Sequence, residues 1–300
     1  MKSVKTKSTN TSSSTAKPDL VAQEIRPGQS LELLKELHIL TREGKLNQDS
    51  RRKLKQVYHL YGFIEKLLLE LPAGREGADK GLALADHGAG KSYLGFIIYD
   101  LFFNAANTKR LGHIYGIETR AELVQKSREL ATRLGFKGMS FLNLSVAESA
   151  QSADLPPQID IVTALHACDT ATDDAIAFGL QKRAKYMVLV PCCQAEVAAH
   201  LRNNRGLAVA KTPLAELWRH PLHTRELGSQ ITNVLRCLYL EASGYQVTVT
   251  ELVGWEHSMK NELILAKYTG VKKVSAANHL REVLTQFGLE ELLQTRFKLV

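Results

Sequence analysis

Residues 82–98 read LALADHGAGKSYLGFII, and this stretch decides the fold class of the chain. An apolar run with the length of a strand reaches Asp86, two glycines follow at Gly88 and Gly90, and a helical pattern begins directly after them. Glycine adopts positive φ without strain, so a tight turn from a strand into a helix favours it. The stretch therefore predicts a strand, a glycine turn and a helix, the repeating unit of α/β domains.

The rest of the sequence continues this alternation. Five predicted strands alternate with helical patterns in the order of a doubly wound sheet, and two further strands predict a hairpin near the C-terminal end. We therefore expect an α/β, Rossmann-like fold with a seven-stranded, mostly parallel sheet, a terminal antiparallel hairpin and an N-terminal helical extension. The predicted strands are 81–86, 113–118, 139–145, 159–165, 186–192, 246–253 and 261–268. The predicted helices include 92–103, 120–134, 172–182 and 213–243.

The N-terminal extension carries an amphipathic helix. Apolar residues recur at spacings of three and four between positions 54 and 68, which predicts one buried helix face. The opposite face is basic, and such a cluster is either a solvated surface or a contact for a polyanion. The basic residues are Arg51, Arg52, Lys53 and Lys55.

The composition describes a moderately basic protein with a substantial core. The formal net charge is +8 over 300 residues, of which 44% are hydrophobic. No run approaches the about 18 to 20 apolar residues that span a bilayer, and the polar start lacks the apolar stretch of a secretory signal. We expect a cytoplasmic protein, with no membrane partner, whose positive charge favours phosphate-bearing polymers.

Three ligands compete for the glycine turn. A phosphate-binding loop needs an earlier glycine before its GKS, and that position holds Ala85. A dinucleotide fingerprint has Tyr93 in place of its third glycine. The pattern acidic-x-Gly-x-Gly fits Asp86, Gly88 and Gly90 unchanged, and it predicts a site for the methionine part of S-adenosylmethionine. The turn alone is also compatible with glycines that bind nothing.

The ends of the next two strands supply further candidates for this cofactor. Glu118 ends the second strand, where a carboxylate can accept both ribose hydroxyls of a nucleoside. The alternative is a solvated acid that caps the following helix. The third strand end should border the adenine, with Ser145 or Glu148 as the contact.

The segment LHACDTATDDAI follows the fourth strand and presents His166, Cys168 and Asp169 just before a helix. Either His166 or Asp169 could remove a proton from a methyl acceptor held against the cofactor, and either could equally serve a structural role.

The fifth strand ends in VLVPCCQ, which brings Cys192 and Cys193 beside Cys168. Three thiols and an imidazole raise the question of zinc. The spacing lacks the H-x-E and P-C-x-x-C of zinc deaminases, and small buried thiols are the better interpretation, so we predict no metal site. Cys192 stays a candidate for the acceptor pocket.

Together, ADHGAGKSY, the strand ending in Glu118, ALHACDTATDDAI and VPCCQ resemble the methyltransferase domain shared with the eukaryotic glutathione-S-transferase C-terminal-domain-containing protein. More distantly, they are similar to tRNA ribose methyltransferases. The sequence departs in Asp169, where relatives often have glycine, and in Gln194, which replaces a histidine. The resemblance implies cofactor contacts at Asp86, Gly88, Gly90 and Glu118, and an acceptor site near His166, Asp169 and Cys192.

These observations predict an S-adenosylmethionine-dependent methyltransferase that acts on RNA, either rRNA or tRNA. The alternatives are a protein acceptor, an inactive methyltransferase fold that serves as an RNA-binding scaffold, and a P-loop nucleotide hydrolase. Trp255, His257 and Asn261 could gate the site or stack a base. We divide the chain into a disordered basic tail (1–18), a helical region (19–80), the methyltransferase domain (81–270) and closing helices (271–300).

Overall fold

A computed structural model describes residues 24–72, 81–105, 110–165, 167, 169–192, 194–203, 211–252 and 262–299. Several predictions fall on residues outside these ranges. They are the disordered tail, the roles of His166, Cys168 and Cys193, and those of Trp255, His257 and Asn261.

A seven-stranded sheet forms the centre of the fold, in the order β3-β2-β1-β4-β5-β7-β6. Strands β1 to β5 pair in parallel, while β7 is antiparallel to both β5 and β6. The predicted fold class and the terminal hairpin are therefore confirmed. The strands are β1 (Leu82–His87), β2 (Gly112–Glu118), β3 (Met139–Asn143), β4 (Ile161–Leu165), β5 (Tyr186–Val190), β6 (Tyr245–Glu251) and β7 (Glu262–Tyr268).

Helices cover the two faces of this sheet, with one buried apolar cluster under each layer. The helices before and among the first strands are α1 (Leu31–Glu36), α2 (Gln48–Glu70), α3 (Tyr93–Ile98), α4 (Ala121–Arg133) and α5 (Val146–Gln151). The later helices are α6 (Thr170–Gln181), α7 (Glu196–Asn203), α8 (Pro221–Ala242), α9 (Val274–Gln286) and α10 (Glu291–Thr295). None of the helices in the described ranges combines the length and the apolar character needed to cross a bilayer.

Helix α2 packs its apolar stripe into the same cluster as the sheet. The Asn47 side chain accepts a hydrogen bond from the Ser50 backbone N–H and so caps the helix start. The predicted stripe from Leu54 to Leu68 is buried and belongs to the same apolar cluster as side chains of β1, β2 and β5. At the other end, the Tyr186 hydroxyl donates a 2.8 Å hydrogen bond to the Glu70 carboxylate. The N-terminal helix is therefore part of the core under one face of the sheet.

Local chemistry moves several predicted boundaries. The predicted helix 213–243 is divided into a 3₁₀ segment, Pro213–Trp218, and helix α8, because Pro221 cannot continue a preceding helix. The predicted helix 92–103 changes from α to π geometry at Tyr99–Phe103. The third strand ends at Asn143 because Ser145 begins helix α5, and the fifth ends at Val190 before a proline.

Candidate functional site

The carboxyl ends of β1, β2, β4 and β5 lie side by side, and we call the loops that follow them the carboxyl edge. The strand register sets Asp86 opposite Gly116 of β2 and Thr163 of β4. In open α/β sheets, ligands bind outside these strand ends, where the strand order reverses. Here the order reverses between β1 and β4.

The turn after β1 has a left-handed backbone at three positions. Gly88 and Gly90 have φ values of 68° and 58°, and Ser92 follows with 51°. The Ala89 N–H donates to the Ile117 carbonyl at 3.0 Å, which fixes the turn against β2. A side chain at either glycine would meet no atom closer than 3.6 Å, so it is the backbone conformation, and not space, that favours glycine there.

Glu118 connects the ends of the first two strands. Its Oε2 accepts a 2.8 Å hydrogen bond from the Gly90 N–H, and Arg120 donates to both carboxylate oxygens. Burial disfavours the charged carboxylate, but the hydrogen bonds from Arg120 and Gly90 outweigh that effect and lower the pKa of Glu118 to about 2. A charged, two-oxygen acceptor therefore stands beside the glycine turn at neutral pH.

Asp86 lies beneath the turn and is only 2% exposed. Thr163 Oγ1 donates to its Oδ1 at 2.9 Å, and Ser92 Oγ donates to its Oδ2 at 3.3 Å. Burial raises the pKa of Asp86 to about 6, although both hydrogen bonds favour the charged form. Its carboxylate thus fastens the turn to β4, and the ligand contact expected from the sequence stays a prediction.

His87 is a further polar residue at this strand end, and the sequence reasoning did not single it out. It is 4% exposed, and neither of its ring nitrogens has a hydrogen-bond partner. Its ring centroid lies 5.5 Å from that of Phe178 on α6. The signal in the sequence was a histidine between the acidic residue that ends the apolar run and the first glycine of the turn.

Ser145 and Glu148 form a capping box at the start of α5. The Glu148 side chain accepts from both the backbone N–H and the hydroxyl of Ser145, at 2.7 and 2.6 Å. Both residues are exposed or half-buried at the end of the third strand. Their predicted contact with adenine stays a prediction.

Asp169, after β4, has a backbone that non-glycine residues rarely adopt, with φ 50° and ψ −122°. Its Oδ1 accepts hydrogen bonds from the N–H groups of Ala195 and Glu196, at 3.0 and 3.4 Å. The loop after β4 is thereby joined to the start of α7, which follows β5. Cys192 is half-buried in the same region.

A buried polar network supports this loop, and sequence reasoning missed it. Arg236 of α8 is 0% exposed and forms an ion pair with Asp173, at 2.6 Å from Nε to Oδ1. Its Nη2 donates to the Asp169 carbonyl at 2.8 Å. Asn233 accepts from both Arg236 and Gln194. The signal was an arginine within the apolar stripe of a helix.

The sequence also raised a phosphate-binding loop and a metal site, and both can be compared with this geometry. Ala85, which stands where a phosphate-binding loop needs its first glycine, lies inside β1 and is fully buried. In the described ranges, no three residues among histidine, cysteine, aspartate and glutamate are grouped to hold a metal ion.

A family model described as a methyltransferase domain matches residues 52–200. This segment runs from α2 to α7 and contains the first five strands with the whole carboxyl edge. A search of curated proteins finds no match. Residues 52–200 match this family on a sheet of this order and therefore form a Rossmann-like methyltransferase domain. The enzyme uses S-adenosylmethionine as its cofactor.

Solved structures with a similar course of the chain include several methyltransferases. Magnesium protoporphyrin IX methyltransferase from Synechocystis, with bound S-adenosylhomocysteine, is 12% identical with a TM-score of 0.45 over 79% of this chain and 93% of that one. The 23S rRNA methyltransferase ErmE is 13% identical with a TM-score of 0.40, and the match covers 79% of this chain and 77% of that one. Likeness at this level does not bear on the acceptor.

Proposed function

We propose that the carboxyl edge holds S-adenosylmethionine and that the enzyme transfers its methyl group to RNA. The cofactor supplies an electrophilic methyl group on a sulfonium, so the protein mainly has to position the acceptor and take up its proton. The observation that carries the placement of the cofactor is the bond from the Gly90 N–H to Glu118, because it sets a charged carboxylate beside an open glycine turn.

The residues at this edge fit the cofactor. The two oxygens of Glu118 match the two ribose hydroxyls, and Gly88 and Gly90 leave no side chain between the backbone and the methionine part. Ser145 and Glu148 are the candidates for the adenine contact, since they begin α5 at the end of the neighbouring strand.

The acceptor is proposed to enter over the ends of β4 and β5, where Asp169 and Cys192 lie. The Oδ1 of Asp169 is engaged by the backbone of α7, which favours a role in positioning for that carboxylate. His166 and Asp169 both stay candidates for taking up the proton.

RNA is favoured as the acceptor by the net charge of +8 and by the basic face of α2. On that face Arg51 is paired with Glu24 at 2.6 Å and Arg52 lies 3.9 Å from Asp49, so the exposed Lys53 and Lys55 carry most of the available charge. Phosphate contacts of this kind weaken steeply as salt rises.

The test is transfer of tritium from methyl-labelled S-adenosylmethionine into extract from cells that lack the protein. We expect label in the RNA fraction that ribonuclease removes and protease does not. Label that only protease removes would replace RNA with a protein acceptor. Binding of S-adenosylhomocysteine without any transfer would favour an inactive scaffold, and Mg²⁺-dependent binding of ATP alone would favour the P-loop alternative. Glu118→Ala serves as the matched control and should lose transfer.

A further inference from the structure

His87 occupies a position where the fold does not need a polar side chain. It is the last residue of β1 and lies on the same face as the buried Ala83 and Ala85. Its ring packs near Phe178, and the turn at Gly88 begins with the next residue. A side chain at Gly88 would come within 3.6 Å of the Ala167 Cβ, so the glycine turn that follows His87 lies close to the loop after β4.

The two ring nitrogens of His87 are buried without a hydrogen-bond partner. Buried polar groups in native proteins nearly always have partners, because a hydrogen bond left unmade in the core lowers stability. Phenylalanine or leucine would fill the same space beside Phe178 without this cost. His87 lowers the stability of the fold, and it lies at the end of a strand where ligands bind. Its presence is therefore better explained by a role in binding a ligand than by a role in folding.

The chemistry of the ring indicates what it can bind. Burial lowers the pKa of His87 to about 4, although the charge of Glu118 opposes this, so the ring is neutral near pH 7. A neutral imidazole offers one N–H donor and one acceptor nitrogen. An α-amino acid group is the complementary partner, because its ammonium donates and its carboxylate accepts.

We infer that His87 binds the amino-acid end of the cofactor, at the point where β1 passes into its glycine turn. This inference rests on the proposed cofactor site and adds to it a residue next to the turn that is proposed to hold the methionine part. Both nitrogens are enclosed in this conformation. Binding therefore includes a rotation of the ring or a shift of the turn at Gly88.

The test compares two ligands by calorimetry: S-adenosylhomocysteine, which has the amino-acid end, and 5′-methylthioadenosine, which lacks it. We expect His87→Phe to weaken binding of S-adenosylhomocysteine about tenfold, the loss of about one good hydrogen bond. Binding of 5′-methylthioadenosine should change less than about twofold. His87→Gln, which retains one donor and one acceptor, should restore most of the lost affinity.

A second readout concerns stability, and it should move in the opposite direction. His87→Phe should raise the melting temperature of the protein without ligand, because an unpartnered polar group leaves the core. The matched control is His113→Phe at the start of β2, where the imidazole bonds to Ser140 at 2.7 Å. That variant should bind both ligands as the wild type does.

Two results would overturn the inference while the cofactor site stands. One is unchanged affinity of His87→Phe for S-adenosylhomocysteine, and the other is an equal loss for both ligands, which would indicate a distorted pocket. If the wild-type protein binds neither ligand, the proposed cofactor site itself is wrong, and the role of His87 is overturned with it.

Discussion

The guanidinium of Arg120 lies flat against the Glu118 carboxylate, with Nε 3.0 Å from Oε1 and Nη2 3.1 Å from Oε2. Arg120 also reaches over the glycine turn, where its Nη2 would lie 3.8 Å from a Cβ at Gly90. The oxygens that a ribose would use are thus already engaged. The guanidinium has to withdraw before two hydroxyls can take its place.

Arg120→Ala should therefore tighten binding of S-adenosylhomocysteine. The Arg120 side chain is more than half exposed, and exposed pairs contribute about 0.2–1 kcal/mol, which corresponds to a gain of about 1.4- to fivefold. Calorimetry at low and high salt measures the effect, and the gain should shrink as salt screens the pair. Glu118→Gln should instead weaken binding. A loss of affinity in Arg120→Ala would mean that the guanidinium supports the bound cofactor.

Asp86→Asn should stabilise the protein above pH 6. The folded-state pKa of Asp86 is raised to about 6 from an ordinary value of 3.8, so its charged form opposes folding. The stability that Asp86 provides when protonated is fully present below about pH 4 and is lost as pH rises to about 6. The advantage of the variant should grow over this window, to at most about 3 kcal/mol.

Urea unfolding at pH 4 and pH 8 tests this prediction. Asp49→Asn is the matched control, because Asp49 is an exposed residue in the first turn of α2. An advantage of Asp86→Asn that is equal at the two pH values would show that the carboxylate is not responsible.

At position 169, glycine should be tolerated better than alanine. Both substitutions remove the carboxylate that caps α7, but only alanine keeps a Cβ at φ 50° and ψ −122°. In Asp169→Ala the strained backbone costs about 1–3 kcal/mol of folding free energy, which Asp169→Gly avoids. Glycine is more flexible in the unfolded chain, and this reduces its advantage by somewhat less than 1 kcal/mol. We expect Asp169→Gly to be more stable than Asp169→Ala by about 1 kcal/mol in urea unfolding. Equal stability would mean that the loop relaxes without cost.

Arg236→Met should destabilise the protein strongly. It leaves Asp173 buried without its partner, and breaking a buried ion pair on one side costs about 3–5 kcal/mol. Thermal unfolding measures the loss. The double variant with Asp173→Leu should recover part of it, whereas Arg225→Met at the exposed pair with Glu226 should change little. If the double variant were no better than the single one, the pair would not be the cause.

The sheet and its ligand-binding edge could be predicted because their signals are local. The continuous apolar run of β1 and the glycines that follow it specify a buried parallel strand and its turn. Glu118 could be placed beside that turn because adjacent parallel strands end at the same edge. The spacing of Ser145 and Glu148 is that of a capping box, but the sequence interpretation considered them only as adenine contacts and extended the strand to residue 145.

The supporting contacts could not be predicted because they join residues far apart in sequence. Arg236 and Asp173 are separated by 63 positions, and no local pattern pairs them. The same holds for Asp169, whose partners lie at the start of α7. His87 was overlooked for a different reason: its significance lies in the absence of a partner, which only packing reveals.

The burial of α2 against the sheet limits how the protein can be shortened. A chain that started at β1 would lack the helix whose apolar stripe belongs to the same cluster as Leu84, Ile114 and Val188. Exposed apolar surface of this kind makes a protein aggregate in water. The smallest fragment able to fold alone therefore has to begin ahead of Gln48, even though the recognisable methyltransferase sequence begins only within that helix.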